Sequence, residues 1–376
     1  MAYEMLWIHG GWLAEEDKVV SRRVWGALLI VLRMVLAIVL GAGCVQIPEG
    51  RRFPTATPTP TNDPFTQNSR LGRGMNLGNA LEAPYEGAWG LVLREEYFQL
   101  IREAGFNSVR IPIRWSAHAA EKAPYTIDPR FFDRVDWAVN QALSQGLLVV
   151  INMHHFGELM ASPQGQRERF LALWKQIAEH YQSYPLELLF ELLNEPSEQL
   201  TAAVWNELLR DALQVIRASN PDRNMIVGPV QWNNIHALPS LKLPPEDRHL
   251  IVTIHYYEPF QFTHQGAEWV AGARAWLGTT WQGTEAERRA VEADLDLAAA
   301  WAKREGRPLY LGEFGAYGAA DMDSRARWTN FVAREAEARG MSWAYWEFGA
   351  GFGAYDRARG SWHTPLLEAL IPSNNH

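Results

Sequence analysis

Cysteine is almost absent from this 376-residue chain, which contains only one, Cys44. A single cysteine excludes any disulfide bond within the chain, so its stability must rest on packing. Runs of lysine and arginine are also missing, and the formal net charge is -8. Because no basic run is present to neutralise phosphates, we expect no nucleic acid among its partners. A glycine-rich phosphate loop and a nucleophile elbow in a suitable strand-to-helix context are missing too.

Tryptophan is abundant, with 17 residues in a chain of otherwise ordinary composition. Hydrophobic residues make up 47% and charged residues 21%, which are values of a globular protein with a substantial core. Many of the tryptophans are expected in that core. Trp269, Trp276 and Trp281 lie instead among Gly, Thr and Gln in a predicted long loop. An exposed indole ring there would suit stacking on the face of a sugar.

Residues 1–46 are predicted to be a signal peptide or a membrane anchor. Val24–Gly43 is apolar except for Arg33 and follows two arginines, and its length is close to the roughly 20 residues of a membrane-spanning helix. In one interpretation a signal peptide ends in LGAGC and Cys44 receives a lipid; in the other the segment is an uncleaved anchor. A buried core helix is the remaining alternative. The export interpretations predict an extracellular or cell-surface location.

Residues 47–69 are predicted to be a linker, and residues 70–376 a single catalytic domain. The linker contains FPTATPTPTNDPF, in which repeated Thr-Pro pairs favour extended backbone and offer no apolar face. We expect it to act as a semi-rigid spacer and the domain after it to be monomeric.

Apolar strand-like segments alternate with helix-like segments after residue 70, which is typical of a parallel α/β fold. Asp128-Pro129 predicts the start of one helix, and Thr201 and Thr284 are predicted to cap two others. The number of strand candidates, eight, is the number that closes a (β/α)8 TIM barrel. They are Gly72–Leu77, Ser108–Ile113, Leu147–Met153, Leu186–Leu193, Met225–Val230, Leu250–His255, Pro308–Glu313 and Ser342–Trp346.

Two glutamates stand where predicted buried strands end, Glu195 after LLFELLN and Glu313 in LYLGEFG. The C-terminal strand ends of a parallel barrel form its active-site face, so these two side chains are expected to meet across one pocket. A pair of carboxylates can protonate a glycosidic oxygen and attack the sugar, which is the chemistry of glycoside hydrolysis. Glu258 and Glu347 are rival candidates without comparable flanking strands. Glu191 is expected to be a buried structural carboxylate paired with a base.

Other polar or aromatic side chains follow most of the remaining predicted strands, which indicates a polar, aromatic-lined pocket. A metal site built from His154, His155 and His255 is the main rival among enzymes. Neighbouring residues on a regular strand point to opposite faces, so His154 and His155 are not expected to ligate one ion. We therefore predict no metal and no cofactor.

Seven motifs, in this order, resemble glycoside hydrolase family 5: GRGMNLGNALE, VRIPIRWSAH, VVINMHH, LLNEP, IVTIHYYEPF, YLGEFGAY and WAYWEFGAGFG. The resemblance extends from Leu71 to about Ile371 and is strongest to bacterial endo-β-1,4-glucanases of the thermophile type, in which glucan and mannan activities coexist. It implies a retaining (β/α)8 enzyme, a β-linked polysaccharide substrate and no cofactor.

The resemblance also implies roles for individual residues. Glu195 would be the general acid/base and Glu313 the nucleophile, with Arg110 and Tyr257 orienting and tuning Glu313. The residues implied to hold the sugar and the carboxylates are His154, Asn194 and His255. Those implied to contact substrate are Asn79, Glu82, His155, Trp269 and Trp346.

Two alternatives remain beside an endoglucanase. The first has the same chemistry with mannan or glucomannan as the main substrate. The second is a catalytically silent carbohydrate-binding barrel, although such a module has no need for both Glu195 and Glu313.

Overall fold

Eight parallel strands form a closed barrel in the computed structural model, which describes residues 62–373. Each strand pairs with its neighbours in chain order, and β8 closes the barrel on β1. All eight predicted strands are confirmed, with ends displaced by a few residues. The strands are β1 Arg73–Asn76, β2 Ser108–Ile111, β3 Leu148–Asn152, β4 Leu188–Glu191, β5 Met225–Val227, β6 Leu250–Tyr256, β7 Leu309–Phe314 and β8 Ser342–Tyr345.

Helices follow most of the strands, and a small hairpin of β9 Tyr355–Asp356 and β10 Ser361–Trp362 follows β8. The helices are α1 Pro64–Leu71, α2 Glu95–Glu103, α3 Pro129–Ser144, α4 Gly157–Ala161, α5 Pro163–His180, α6 Ala202–Arg217, α7 Val230–Asn233, α8 Phe260–Thr263, α9 Glu285–Glu305, α10 Met322–Ala338 and α11 Thr364–Leu370. The short segment α7 is an irregular turn, because Gln231, Trp232 and Asn233 have left-handed φ. The predicted caps are present: Asp128 begins α3, Thr201 begins α6, and Thr284 forms a capping box with Glu287 at α9.

Alternation along each strand divides the core into two layers. A small cluster fills the barrel interior, and a larger one lies between the strands and the helices. In β4, for example, Leu189 belongs to the inner cluster and Phe190 to the outer one. Because the interior is packed with side chains, a substrate can only bind at one end of the barrel.

Helix α1, Pro64–Leu71, begins within the predicted linker of residues 47–69 and packs on the barrel. Asp63 caps this helix by accepting a hydrogen bond from the Thr66 amide at 2.8 Å, and Pro64 occupies its first turn. The side chain of Asn68 is buried between β7 and β8: it donates to the Leu309 carbonyl at 2.9 Å and accepts from the Ser342 hydroxyl at 2.7 Å. Helix α1 therefore covers the amino-terminal end of the barrel.

The predicted export segment and most of the predicted linker lie outside the described residues. Within residues 62–373, the helices are all too short or too polar to cross a membrane.

Candidate active site

Glu195 and Glu313 lie side by side at the carboxyl-terminal end of the barrel. Glu313 is near the end of β7, and Glu195 follows β4 in a turn where its φ is 48°. One carboxylate oxygen of each glutamate and one ring nitrogen of His255 all lie within 4.8 Å of one another. The Nδ1 atom of His255 is 2.8 Å from Glu195 Oε1 and 3.6 Å from Glu313 Oε2.

Arg110, on β2, joins this pair to the barrel interior through all five N–H groups of its guanidinium. Its Nε and one terminal nitrogen donate to the two oxygens of Glu191 at 2.5 and 3.0 Å. The other donors reach Glu313 Oε1 at 2.7 Å, Asn194 Oδ1 at 2.7 Å and Asn76 Oδ1 at 2.9 Å. Arg110 and Glu191 are completely buried, and their pairing confirms the structural role expected of Glu191.

The two catalytic candidates have different electrostatic surroundings. Glu313 is almost buried; it accepts from Arg110 and from the Tyr257 hydroxyl at 3.0 Å. Burial raises the pKa of Glu313, while His255 and Arg110 act in the opposite direction. The side chain of Glu195 is 27% exposed to the cleft. Burial raises the pKa of Glu195 to about 7, and Arg110 opposes this shift. Glu313 thus has direct cationic contact, whereas Glu195 resists ionisation near neutral pH.

A cavity of about 710 Å³ contains both glutamates and every predicted substrate contact. Those contacts are Asn79, Glu82, His155, Trp269 and Trp346. Trp269 is 63% exposed, as expected of a ring that receives ligand. Burial raises the pKa of Glu82 to about 8, although its carboxylate accepts from the backbone amides of Asn79 and Ala80.

His154 and His155 both line this cavity, so the alternation of neighbouring strand residues does not apply to them. The strand β3 ends at Asn152, and His155 has a left-handed φ of 49°, so regular alternation does not extend to them. His154 is buried with its ring stacked on Trp346, at 5.8 Å between centroids and 8° between planes. Burial lowers the pKa of His154 well below its ordinary value, which keeps this imidazole neutral.

A second cavity, of about 580 Å³, shares Glu195, Tyr257 and Trp269 with the first. Its wall includes Gln231 and the exposed ring of Trp232, from the turn after β5. The sequence analysis missed this turn because β5 is only three residues long and a run of left-handed residues follows it. The acid/base candidate therefore lines both cavities.

The first cavity also contains residues that the sequence analysis did not single out as site residues. Trp89, from the loop after β1, meets the edge of His155 with ring centroids 5.6 Å apart. The sequence around Trp89 is rich in glycine, and the same kind of composition had marked Trp269 as a loop residue that could contact a sugar. Trp89 could have been predicted as a site residue in the same way. Tyr317 and Phe352 complete this wall.

Two rival carboxylates occupy different positions from the catalytic pair. Glu258 is exposed at the rim of the second cavity. Glu347 is buried, and its oxygens accept hydrogen bonds from the backbone amides of Gly349, Ala350 and Phe352. It holds the loop after β8 and is not among the residues that line the cavity of Glu195 and Glu313.

Among the described residues, the group with spacing suited to a metal ion is Glu195, His255 and Glu313. These are the same atoms that form the carboxylate pair and its bridging imidazole. Arg110 already supplies a positive charge in contact with Glu313. The rival metal site of His154, His155 and His255 is not brought together as a group of this kind in the part of the chain that the structure describes.

A parallel eightfold barrel with two close carboxylates in an aromatic-lined cleft defines the class of glycoside hydrolases. The chain belongs to the cellulase family, glycosyl hydrolase family 5, whose family model matches residues 72–351. This membership confirms the resemblance found in the sequence motifs.

Curated relatives include endoglucanase H of Acetivibrio thermocellus, which is 38% identical over an alignment of 343 positions that covers 88% of this chain and 36% of the relative. The cellulase/esterase CelE of the same organism is 31% identical over 79% of this chain and 39% of its own length. The chain thus spans well under half of these relatives.

Solved structures match over almost their whole length. Cel5A of Thermotoga maritima, in complex with cellobiose, is 55% identical with a TM-score of 0.81, covering 82% of this chain and 100% of the other. Cellulose synthase subunit Z of Clostridioides difficile is 40% identical with a TM-score of 0.78, covering 80% and 99%.

Proposed function

We propose that this protein is an endo-β-1,4-glucanase that cleaves cellulose-type β-glucan with retention of anomeric configuration. The observation that carries the proposal is the close approach of Glu195 and Glu313, whose nearest oxygens lie within 4.8 Å. Retaining glycosidases have carboxyl groups about 5–5.5 Å apart, whereas inverting enzymes need about 6.5–9.5 Å to admit a water molecule.

In the proposed reaction, Glu313 attacks the anomeric carbon while Glu195 gives its proton to the departing glycosidic oxygen. The bond to the leaving sugar breaks as a covalent glycosyl-enzyme forms. Glu195, now ionised, then removes a proton from water, and the resulting hydroxyl displaces Glu313 from the sugar. The electrostatic difference between the two carboxyls fits these roles, because the attacking group must be anionic and the acid protonated.

Neighbouring residues have supporting roles in this proposal. Arg110 and Tyr257 donate to Glu313, which orients the nucleophile. His154, Asn194 and His255 hold the sugar and the carboxylates, and Trp346 forms the floor below the attacked ring. The substrate contacts would be Asn79, Glu82, His155 and Trp269.

Endo cleavage is favoured by the form of the cleft. Loops after β1, β3, β7 and β8 line most of the first cavity, loops after β5 and β6 line most of the second, and Glu195 lines both. This arrangement leaves space for a polymer chain on each side of the cleaved bond. This is the arrangement required for attack at internal linkages.

Mannan or glucomannan is the second candidate substrate. Cel5A of Thermotoga maritima, which resembles this chain, has structures in complex with cellobiose and with mannotriose. The glucan and mannan alternatives are separated by release of reducing ends from carboxymethylcellulose, barley glucan, glucomannan and mannan. The Glu313→Ala variant serves as the blank in each assay.

Retention is tested by following the first product with proton NMR before mutarotation. A β-anomer is expected, and an α-anomer would overturn the double-displacement proposal. Binding of cello-oligosaccharides without release of any reducing end would instead indicate the silent carbohydrate-binding barrel.

Export to the cell surface or beyond is also proposed, supported by the apolar segment Val24–Gly43 and the Thr-Pro spacer. The full chain, expressed in a bacterium, should partition with membranes. Cys44→Ser should leave a heavier unprocessed precursor if the chain is lipidated, and should change nothing if the segment is an uncleaved anchor. Recovery in the cytoplasm with an intact amino terminus would overturn both forms of the proposal.

A further inference from the structure

Asn233 is a completely buried polar residue in contact with the imidazole that bridges the two carboxylates. Its side-chain amide nitrogen lies 3.2 Å from Nε2 of His255. The other ring nitrogen of His255, Nδ1, is the one that contacts Glu195 at 2.8 Å and approaches Glu313 at 3.6 Å. The imidazole thus lies between an amide on one side and the catalytic pair on the other.

The backbone around Asn233 is arranged to bring this amide inside the barrel mouth. Asn233 has a φ of 56° and ends a run of three left-handed residues with Gln231 and Trp232. Gly228 leaves room for it, since a Cβ at Gly228 would lie 2.0 Å from Asn233 Oδ1. Asparagine is among the residues that tolerate a left-handed conformation best. The contact with His255 therefore depends on the left-handed conformation of Asn233 and on the absence of a side chain at Gly228.

We propose that Asn233 is a positioning residue that fixes His255 in the tautomer with its proton on Nδ1. The argument is one of hydrogen-bond complementarity. An amide NH2 group only donates, so Nε2 of a neutral His255 must be its acceptor and cannot carry the proton. The proton then resides on Nδ1, which donates to the carboxylate pair. This inference rests on the acid/base role proposed for Glu195.

The tautomer matters because Glu195 must deliver a proton to the leaving sugar. With hydrogen on Nδ1, His255 cannot accept the Glu195 proton, which stays available in the cleft. With hydrogen on Nε2, Nδ1 would be a free acceptor 2.8 Å from Glu195 Oε1. The acid proton would then be shared with the imidazole and turned away from the glycosidic oxygen.

The carboxylates also act on the tautomer, because an ionised oxygen of Glu313 or Glu195 beside Nδ1 favours the proton there. Asn233 acts on the other ring nitrogen, Nε2. Burial lowers the pKa of His255 to about 4, so the ring is neutral at working pH. The charged or titratable groups that face it are Glu195, Glu313, Glu191, Arg110 and His154. The Nε2 atom of His255 contacts the neutral side-chain amide of Asn233.

The first test measures the tautomer directly in the wild-type full chain by 15N NMR of labelled histidine. The His255 signals are assigned by their loss in His255→Gln. We expect a protonated Nδ1 and an unprotonated Nε2. Protonation of Nε2 in the wild type overturns the proposal, whether or not any variant folds and whether or not the protein hydrolyses a glycan.

The second test reverses the polarity of the contact with Asn233→Asp, which keeps the shape and replaces the donor by an acceptor. Asn234→Asp is the matched control, because it adds the same charge one residue away. The Asn234 Oδ1 only accepts from the His236 amide, a bond that aspartate can keep. We expect the His255 proton to move to Nε2 in Asn233→Asp and to stay on Nδ1 in the control.

Leaving-group dependence then distinguishes loss of the acid from general damage. For Asn233→Asp, kcat/KM on an unactivated cello-oligosaccharide should fall about 10²-fold, within the range of general acid catalysis. On dinitrophenyl cellobioside, whose leaving group needs no proton, the fall should be less than about threefold. Equal losses on both substrates would overturn the positioning role. Inactivity of the wild type on both would instead contradict the proposed function and leave the NMR result standing.

Discussion

Replacing Arg110 by lysine keeps the positive charge of the site but removes the geometry that distributes it. Arg110 uses five N–H donors, which reach Glu191, Glu313, Asn194 and Asn76. A lysine ammonium has three donors on one nitrogen atom. At least two of the five hydrogen bonds must therefore be lost. Because the Arg110 side chain is completely buried, water cannot replace them.

The expected cost follows from those losses. A buried acceptor left without a donor costs about 1–3 kcal/mol, and breaking a buried ion pair costs about 3–5 kcal/mol. We expect Arg110→Lys to lower the free energy of unfolding by about 3–5 kcal/mol. If the nucleophile Glu313 also loses its aligned donor, kcat should fall by about 10²–10³, as for loss of one preorganised donor elsewhere.

Urea unfolding followed by tryptophan fluorescence measures the free energy of unfolding, and hydrolysis of barley glucan measures kcat. Arg73→Lys is the matched control. Arg73 also makes two bonds to one carboxylate, Glu337, but the two side chains are 33% and 29% exposed. Its replacement should cost less than about 1 kcal/mol. Equal unfolding free energies for the two variants would refute the reasoning from burial.

Three further expectations concern the catalytic pair and the boundary of the domain. Activity should follow a bell-shaped pH profile and fall above about pH 7, where Glu195 loses its proton. Activity should also fall on the acidic side as Glu313 gains a proton, at a pH above the ordinary carboxyl range because burial raises the pKa of Glu313. If the fall in activity above about pH 7 remained in Glu195→Gln, its assignment to Glu195 would be contradicted. With azide and an activated substrate, Glu195→Ala should yield a β-glycosyl azide and Glu313→Ala should not; the reverse result would exchange the two roles. A chain beginning at Asn62 should have the melting temperature of the longer protein, whereas one beginning at Arg70 loses the buried contacts of α1 and should have a lower one. Equal melting temperatures for the two shortened chains would contradict a stabilising role of α1.

The barrel could be predicted from the sequence because its strands and helices carry strong local signals. The strands are short apolar runs, and the helices start at residues such as Asp128 and Thr284, whose side chains bond the first free amides. The same logic was available for α1, since Asp63-Pro64 has the cap and proline of Asp128-Pro129. Its position after the Thr-Pro repeats concealed it, whereas contacts such as those of Asn68 with β7 and β8 show that it is part of the fold.

The carboxylate pair was predictable for a different reason, since strand ends of a parallel barrel must converge. The turns beyond those ends were not predictable. Strand alternation stops at Asn152 in β3 and at Val227 in β5, so it gives no orientation for His155 or Asn233. These residues take left-handed backbone conformations that are fixed by tertiary packing, as the clearance beside Gly228 illustrates.

The left-handed residues of the cleft affect where substitutions can raise the thermal stability of the protein. Asn79, His155, Glu195 and Trp232 have φ between 48° and 65°, and all line the cleft. A conformation of this kind costs a non-glycine residue about 1–3 kcal/mol, which the rest of the barrel must offset. The backbone of these cleft residues is thus held in conformations of higher local energy by the surrounding structure. Selection for heat resistance has most freedom at the opposite end, around α1, where replacements do not have to preserve the direction in which a catalytic side chain points.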